Sequence, residues 1–244
     1  MKTLLLTLAL MIGCLAQGTA QSLKSAGTCK VGETAPAIGS WTWSANARVD
    51  VYVRTPDFAE DEMPLILTAL HTWDASADEN GSGVRFEYRG TVTEARTCAN
   101  CLTITRGATA DKRHGAELQA FSQQRNQIID YARIVINPSY KKSKSLTSIV
   151  AHELGHSLGL LDCYTCERGS TAMNRFNITV SLLQFKIADW SNGITGPTGC
   201  DAAQVREAYR ELKTFVRPSP TVASLEAVDE GEEPEVDETP VVEP

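Results

Sequence analysis

The sequence predicts an α+β fold, because strand-like alternation fills the first half of the chain's body while helical stripes interrupt and follow it. Val49, Val51 and Val53 alternate with Arg48, Asp50 and Tyr52. Val84, Phe86 and Tyr88 alternate with Arg85, Glu87 and Arg89, and Leu102 and Ile104 alternate with threonines. These read as half-buried strands. Between the first two, Pro64 to Trp73 sets Ile66, Ala69, Leu70 and Trp73 on one helical stripe, with Glu60, Asp61 and Glu62 near the helix's positive end. Glu117 to Ser122 reads as a fourth strand and Arg133 to Asn137 as a fifth, closed by Pro138. A second main helix spans about Ser145 to Leu158. Asp201 to Phe215 makes a terminal helix with Asp201 as N-cap, Gln204 at N3, and Val205, Tyr209 and Leu212 on one face.

The ends of the chain differ from this body. Met1 and Lys2 precede a short apolar run from Thr3 to Gly13, then Gly18, Thr19 and Ala20 before Gln21. One positive charge, an apolar stretch too short to span a bilayer and small residues before a polar start predict a signal peptide over 1–20, cleaved after Ala20. Lipid attachment at Cys14 is the competing reading, since the residues from Met11 to Cys14 partly resemble a lipobox. No other segment is apolar for long enough to cross a membrane. The predicted organisation continues with an N-terminal segment over 21–44, a catalytic domain over 45–216 and a tail over 217–244. From 218 onward the tail holds half the prolines, nine acidic residues and no lysine or arginine, a composition expected to be disordered. It also carries the net charge of −7, leaving the rest near +2. Neither part has a basic stripe, so no nucleic-acid partner is expected.

Chemistry concentrates in the run from His152 to Asp162, whose order is His152, Glu153, Leu154, Gly155, His156, Ser157, Leu158, Gly159, Leu160, Leu161, Asp162. Four residues apart on a helix, His152 and His156 share a face and can converge on one metal ion, for which zinc is suited. Glu153 projects beside that ion and is the natural general base. Gly159 supplies a position where positive φ stops the helix and swings the chain back. Asp162 follows as the third ligand. The chain's four histidines are His71, His114, His152 and His156, so none lies downstream, and a carboxylate or an upstream residue must complete the site. Two histidines and a carboxylate leave a position open for water, the ligand set of a catalytic zinc site.

The run resembles the metzincin metalloprotease signature HExxHxxGxxH, with aspartate in the last place as in small secreted neutral proteases of the snapalysin type. Ser170, Thr171, Ala172, Met173 and Asn174 resemble that family's Met-turn, which implies that Met173 lies beneath the metal as an apolar floor. The order of strands and helices resembles the upper subdomain of matrixins. The resemblance implies a twisted mixed sheet of four to five strands with two main helices, an active-site cleft, and a small C-terminal subdomain ending in a helix. It also implies that Glu117 to Ser122 lines the cleft and pairs with an extended substrate, an interaction that reads peptide backbone irrespective of sequence. Two departures stand out. Where some metzincins carry a stabilising tyrosine two residues past the methionine, this chain has Arg175, read as a surface residue. Matrixins bind a structural zinc through several histidines, but only His71 and His114 remain, read as helix surface or packing and as loop, so that site is not expected. No acidic cluster has EF-hand spacing, and calcium has no support.

Loss of Cys14 with the signal would leave six of seven cysteines, an even number suited to disulfides. The simplest pairing joins Cys98 to Cys101 and Cys163 to Cys166 locally and Cys29 to Cys200, although six cysteines allow fifteen pairings. A four-cysteine zinc ribbon is the alternative, disfavoured by an oxidising compartment. Cys29 could also serve as a latency thiolate, as in matrixins, but its neighbours match that motif poorly. Taken together, the residues predict a secreted, extracellular or periplasmic, monomeric zinc endopeptidase with one catalytic Zn2+ and protein or peptide substrates. A secreted zinc-binding or adhesion module without proteolysis is the rival, and Glu153 argues against it.

Overall fold

Among the described residues, seven strands and three α-helices follow one another as β1 (Ile38–Thr42), β2 (Arg48–Arg54), α1 (Met63–Ala75), β3 (Arg85–Val92), β4 (Cys101–Arg106), β5 (Ala116–Phe121), β6 (Tyr131–Ile136), α2 (Lys144–Ser157), β7 (Leu158–Leu160) and α3 (Gly199–Phe215). A single 3-10 turn, Glu60–Glu62, leads into α1. This computed structural model describes residues 29–110, 115–122, 127–138, 144–174 and 194–215. The expected signal peptide over 1–20 with Cys14, the loop residue His114, Arg175 and the acidic tail over 217–244 lie outside the described residues.

β2 to β6 form one mixed sheet in the order β3-β2-β4-β6-β5. β3, β2, β4 and β6 run parallel, and β5 runs antiparallel to β6 at the edge. Val49, Val51 and Val53 are buried on one face of β2, as their alternation requires. β4 departs from expectation. Its threonines were expected to face outward, yet Thr103 and Thr105 are as buried as Leu102 and Ile104. A central strand covered on both faces can hold them because their hydroxyls are used: Thr103 accepts from the Arg96 amide at 3.0 Å and Thr105 donates to the Ile134 carbonyl at 3.4 Å.

α1 and α2 pack together over the core formed by Ile66, Leu70, Trp73, Val51, Ile104, Ile134, Val150 and Leu154. The Trp73 indole N–H donates to the Ala151 carbonyl at 2.8 Å, which sets the height of α2 beside α1. Two strands had no sequence signal. β1 pairs antiparallel with β7, with Ile38 opposite Leu160 and Thr42 opposite Leu158, and Trp43 just beyond β1 is fully buried. Both strands are too short for alternation to register. α3 begins at Gly199, two residues before the expected boundary, so Asp201 lies inside the first turn rather than at the N-cap position. Its carboxylate does accept the Thr198 backbone N–H at 2.8 Å.

The structure contains three disulfides: Cys29–Cys200, Cys98–Cys101 and Cys163–Cys166. The first closes a sequence separation of 171 residues and staples the N-terminal segment to the start of α3. The third sits directly after Asp162.

Candidate active site

α2 presents His152, Glu153 and His156 to a cavity of about 610 Å³. β5 lines one wall with Ala116 to Ala120, while Gly39, Ser40 and Trp41 of β1 and Gly159, Leu160 and Leu161 line another. The helix ends at Ser157, and the next residues turn back along β1. Gly159 makes that turn possible. Its φ is +89°, and a Cβ there would stand 2.7 Å from Cγ2 of Thr42, so both backbone and space exclude a side chain. The reversal delivers Asp162 to the histidines.

One oxygen of Asp162 faces both rings. Nε2 of His152 lies 2.9 Å and Nε2 of His156 3.5 Å from Oδ1 of Asp162. Among the described residues this trio is the group of histidine, cysteine and carboxylate side chains whose donor atoms cluster tightly, all within 4.8 Å of one another. The other ring nitrogens are already committed. Nδ1 of His152 meets the Ala172 carbonyl at 2.9 Å, and Nδ1 of His156 meets the Leu160 carbonyl at 2.8 Å. A carbonyl can only accept, so each Nδ1 carries the proton and each neutral ring turns an Nε2 lone pair toward the carboxylate. Three acceptors aimed at one point repel unless a cation stands among them. A proton on a ring or a metal ion satisfies that requirement, and the donor set of two imidazoles and one carboxylate fits zinc. The 3.5 Å separation is also near the ~3.3 Å that adjacent ligands of a tetrahedral ion keep when bonds are ~2.0–2.2 Å.

The titration behaviour has the same origin. Burial disfavours charge on His156, but its hydrogen bond to Asp162 and the negative charges of Glu153 and Asp162 outweigh it, so its pKa rises above the ordinary histidine value. Burial likewise disfavours ionised Asp162, but hydrogen bonds to His152 and His156 hold its carboxyl far below the usual carboxylate range. The negative charge of Asp162 therefore favours a cation between itself and the rings.

Glu153 is only 5 % exposed and lines the cavity beside the two histidines. Among the described residues its carboxylate makes no hydrogen bond, which leaves it free to accept a proton. Met173 is fully buried under α2, where a Cβ on Gly155 would stand 2.4 Å from its sulfur. His71 lies on the exposed side of α1, away from this cluster.

Tyr164 and several contacts around the site had no reading in the sequence. Tyr164 donates its hydroxyl to Oδ2 of Asp162 at 3.3 Å, so the two oxygens of that carboxylate have different neighbours. The backbone amide of Cys163 donates to the Met173 carbonyl at 2.8 Å, and Asn174 Nδ2 donates to the Cys166 carbonyl at 3.0 Å. The Cys163–Cys166 loop is thereby sewn to the turn that carries Met173. Gly155 did leave a signal. A glycine within a helix costs ~1 kcal/mol against alanine, which is tolerated where another group must come close.

No protein-family model matches the chain, and no curated protein matches it. Among solved structures, high choriolytic enzyme 1, a hatching-enzyme zinc protease from Oryzias latipes, aligns at 16 % identity with TM-score 0.32, over 50 % of this chain and 49 % of that one. Metalloproteinase-II from Bacteroides fragilis aligns at 10 % identity with TM-score 0.40, over 73 % of this chain and 58 % of that one. The chain thus spans about half of the first of these proteins and 58 % of the second.

Proposed function

We propose that this chain is a zinc-dependent endopeptidase of metzincin type, in which His152, His156 and Asp162 hold the ion and Glu153 is the general base. The observation that carries the reading is the convergence of two Nε2 lone pairs and one carboxylate oxygen, with both Nδ1 protons already spent on carbonyls. The element order, the glycine turn at Gly159 and the buried Met173 beneath α2 also support it.

Zinc, when bound, supplies Lewis-acid chemistry, polarising a scissile carbonyl and acidifying a water. The chain's own residues do the rest. Glu153 takes a proton from the attacking water and later delivers it to the leaving amine, a role suited to a carboxylate free of hydrogen-bond donors at the cavity wall. The outer edge of β5 lies along the same cavity and offers backbone N–H and C=O groups to an extended peptide. Pairing of that kind reads main chain, so the substrate class is protein or peptide.

We further propose that the protein acts outside the cytoplasm. Three disulfides suit an oxidising compartment, and no helix among the described residues is long and apolar enough to cross a membrane.

Digestion of denatured casein by the zinc-supplemented full chain tests the activity. Cleavage that a chelator abolishes and added zinc restores is expected. Cleavage that persists in chelator, or none with zinc stoichiometrically bound, would overturn it.

A further inference from the structure

Asp201 is completely buried, yet among the described residues none of its partners is a cation. Oδ2 accepts the Ala172 amide at 2.9 Å, the Thr198 amide at 2.8 Å and the Thr198 hydroxyl at 2.9 Å. Oδ1 accepts the Thr171 hydroxyl. Capping the start of α3 would need only Oδ2. The other oxygen, like the Ala172 bond to Oδ2, is spent on the turn beneath α2.

The bonds from that oxygen run in one direction. Thr171 gives its hydroxyl proton to Asp201, so its oxygen is oriented to accept the Met173 amide at 3.0 Å. The Met173 N–H belongs to the same peptide unit as the Ala172 carbonyl, and that carbonyl accepts Nδ1–H of His152 at 2.9 Å. Every donor from His152 to Asp201 therefore points the same way: ring N–H to carbonyl, amide N–H to hydroxyl, hydroxyl to carboxylate. Hydrogen bonds in such a series polarise one another, and the negative end makes the Ala172 carbonyl a better acceptor.

We propose that Asp201 is a positioning residue of the metal site: through Thr171 and the Ala172–Met173 peptide it holds the Nδ1 proton of His152 in place and so keeps Nε2 available as a ligand. The proposal rests on the zinc reading for its purpose, but not for its test. A partner that fixes the tautomer of a ligating histidine typically contributes about 10- to 100-fold in metal affinity. Here the partner acts across one peptide unit.

The variants are Asp201→Asn, Thr171→Val, Thr171→Ser and Thr198→Val in the full chain. Zinc affinity is measured by competition with a chromogenic chelator. The His152 tautomer is read by long-range proton–nitrogen NMR of the chelator-treated protein at a pH where the ring is neutral. Asp201→Asn and Thr171→Val are expected to lower zinc affinity about 10- to 100-fold and to mix the two tautomers. Thr171→Ser keeps the hydroxyl and should restore both. Thr198→Val removes one donor from Oδ2 of Asp201 but leaves the Thr171 bond to Oδ1 intact, so it should cost melting temperature while leaving affinity within about threefold. If Asp201→Asn fails to fold, the Thr171 pair decides. The proposal is overturned if Asp201→Asn or Thr171→Val keeps the parent tautomer, or if Thr198→Val loses as much affinity as they do. A parent that binds no zinc would sink the proposed function, while the tautomer measurement would still decide the role of Asp201.

Discussion

Gly155 and Met173 approach so closely that a Cβ on the glycine would stand 2.4 Å from the methionine sulfur and 3.2 Å from Cζ2 of Trp73. α2 thus rests on Met173 at the one point where it has no side chain. Gly155→Ala gains helix propensity of ~1 kcal/mol but forces that sulfur aside, and overpacking in a full core typically costs ~1–3 kcal/mol. The expected outcome is a lower melting temperature with reduced zinc affinity, since Met173 shares a peptide with the carbonyl that holds His152. A melting curve equal to or above the parent's would show that the turn yields freely.

Gly159→Ala tests the reversal that delivers Asp162. The substitution meets both a φ of +89° and a contact 2.7 Å from Thr42. Strain in such a conformation costs ~1–3 kcal/mol, and any shift of β7 that relieves it carries Asp162 with it. Loss of zinc affinity disproportionate to the drop in melting temperature is expected by chelator competition. Parallel losses matching those of a remote core change such as Ile66→Val would assign Gly159 to stability alone.

The protonation of the trio has a definite sign. The folded-state pKa of His156 is raised, so its stabilising contribution is complete below the unfolded value of 6.5 and is lost as pH rises through the raised value. Asp162 is lowered, so its contribution is present above 3.8 and is lost only as pH falls toward its depressed value. In chelator, the melting-temperature gap between parent and Asp162→Asn should therefore be wider at about pH 5.5 than at about pH 8.5. Zinc needs the lone pair that the proton occupies, so at pH 6.5 binding should release more than half a proton from His156. Calorimetric heats that do not depend on the buffer's ionisation enthalpy would contradict this.

Tyr164 is half exposed and its bond to Asp162 is long at 3.3 Å, so its contribution is expected to be small. Tyr164→Phe should change zinc affinity by less than about tenfold, below the usual range for a buried partner. A larger loss would mean that the hydroxyl does more than steady one oxygen.

The helix spacing of His152 and His156, and the glycine after them, put their geometry within reach of the sequence, because a period of 3.6 residues leaves little freedom. The strands at β2, β3 and β6 were legible for the similar reason that one face had to be apolar. Legibility failed where burial is two-sided or contacts are non-local. Thr103 and Thr105 looked solvent-facing because alternation cannot distinguish water from a second buried face. β1 and β7 were invisible, being five and three residues long and held by pairing across the chain. Asp201 showed its capping chemistry, but nothing in its neighbourhood could disclose a turn 30 residues earlier.

Asp162 carries the central claim, because the two histidines alone make neither a complete ligand set nor a trap for the proton. A calorimetric zinc titration of Asp162→Ala beside the parent tests it most directly. One site in the parent is expected, with affinity in the variant reduced by more than about 100-fold, beyond what loss of a merely orienting partner produces. Unchanged stoichiometry with affinity within about tenfold of the parent would remove Asp162 from the site.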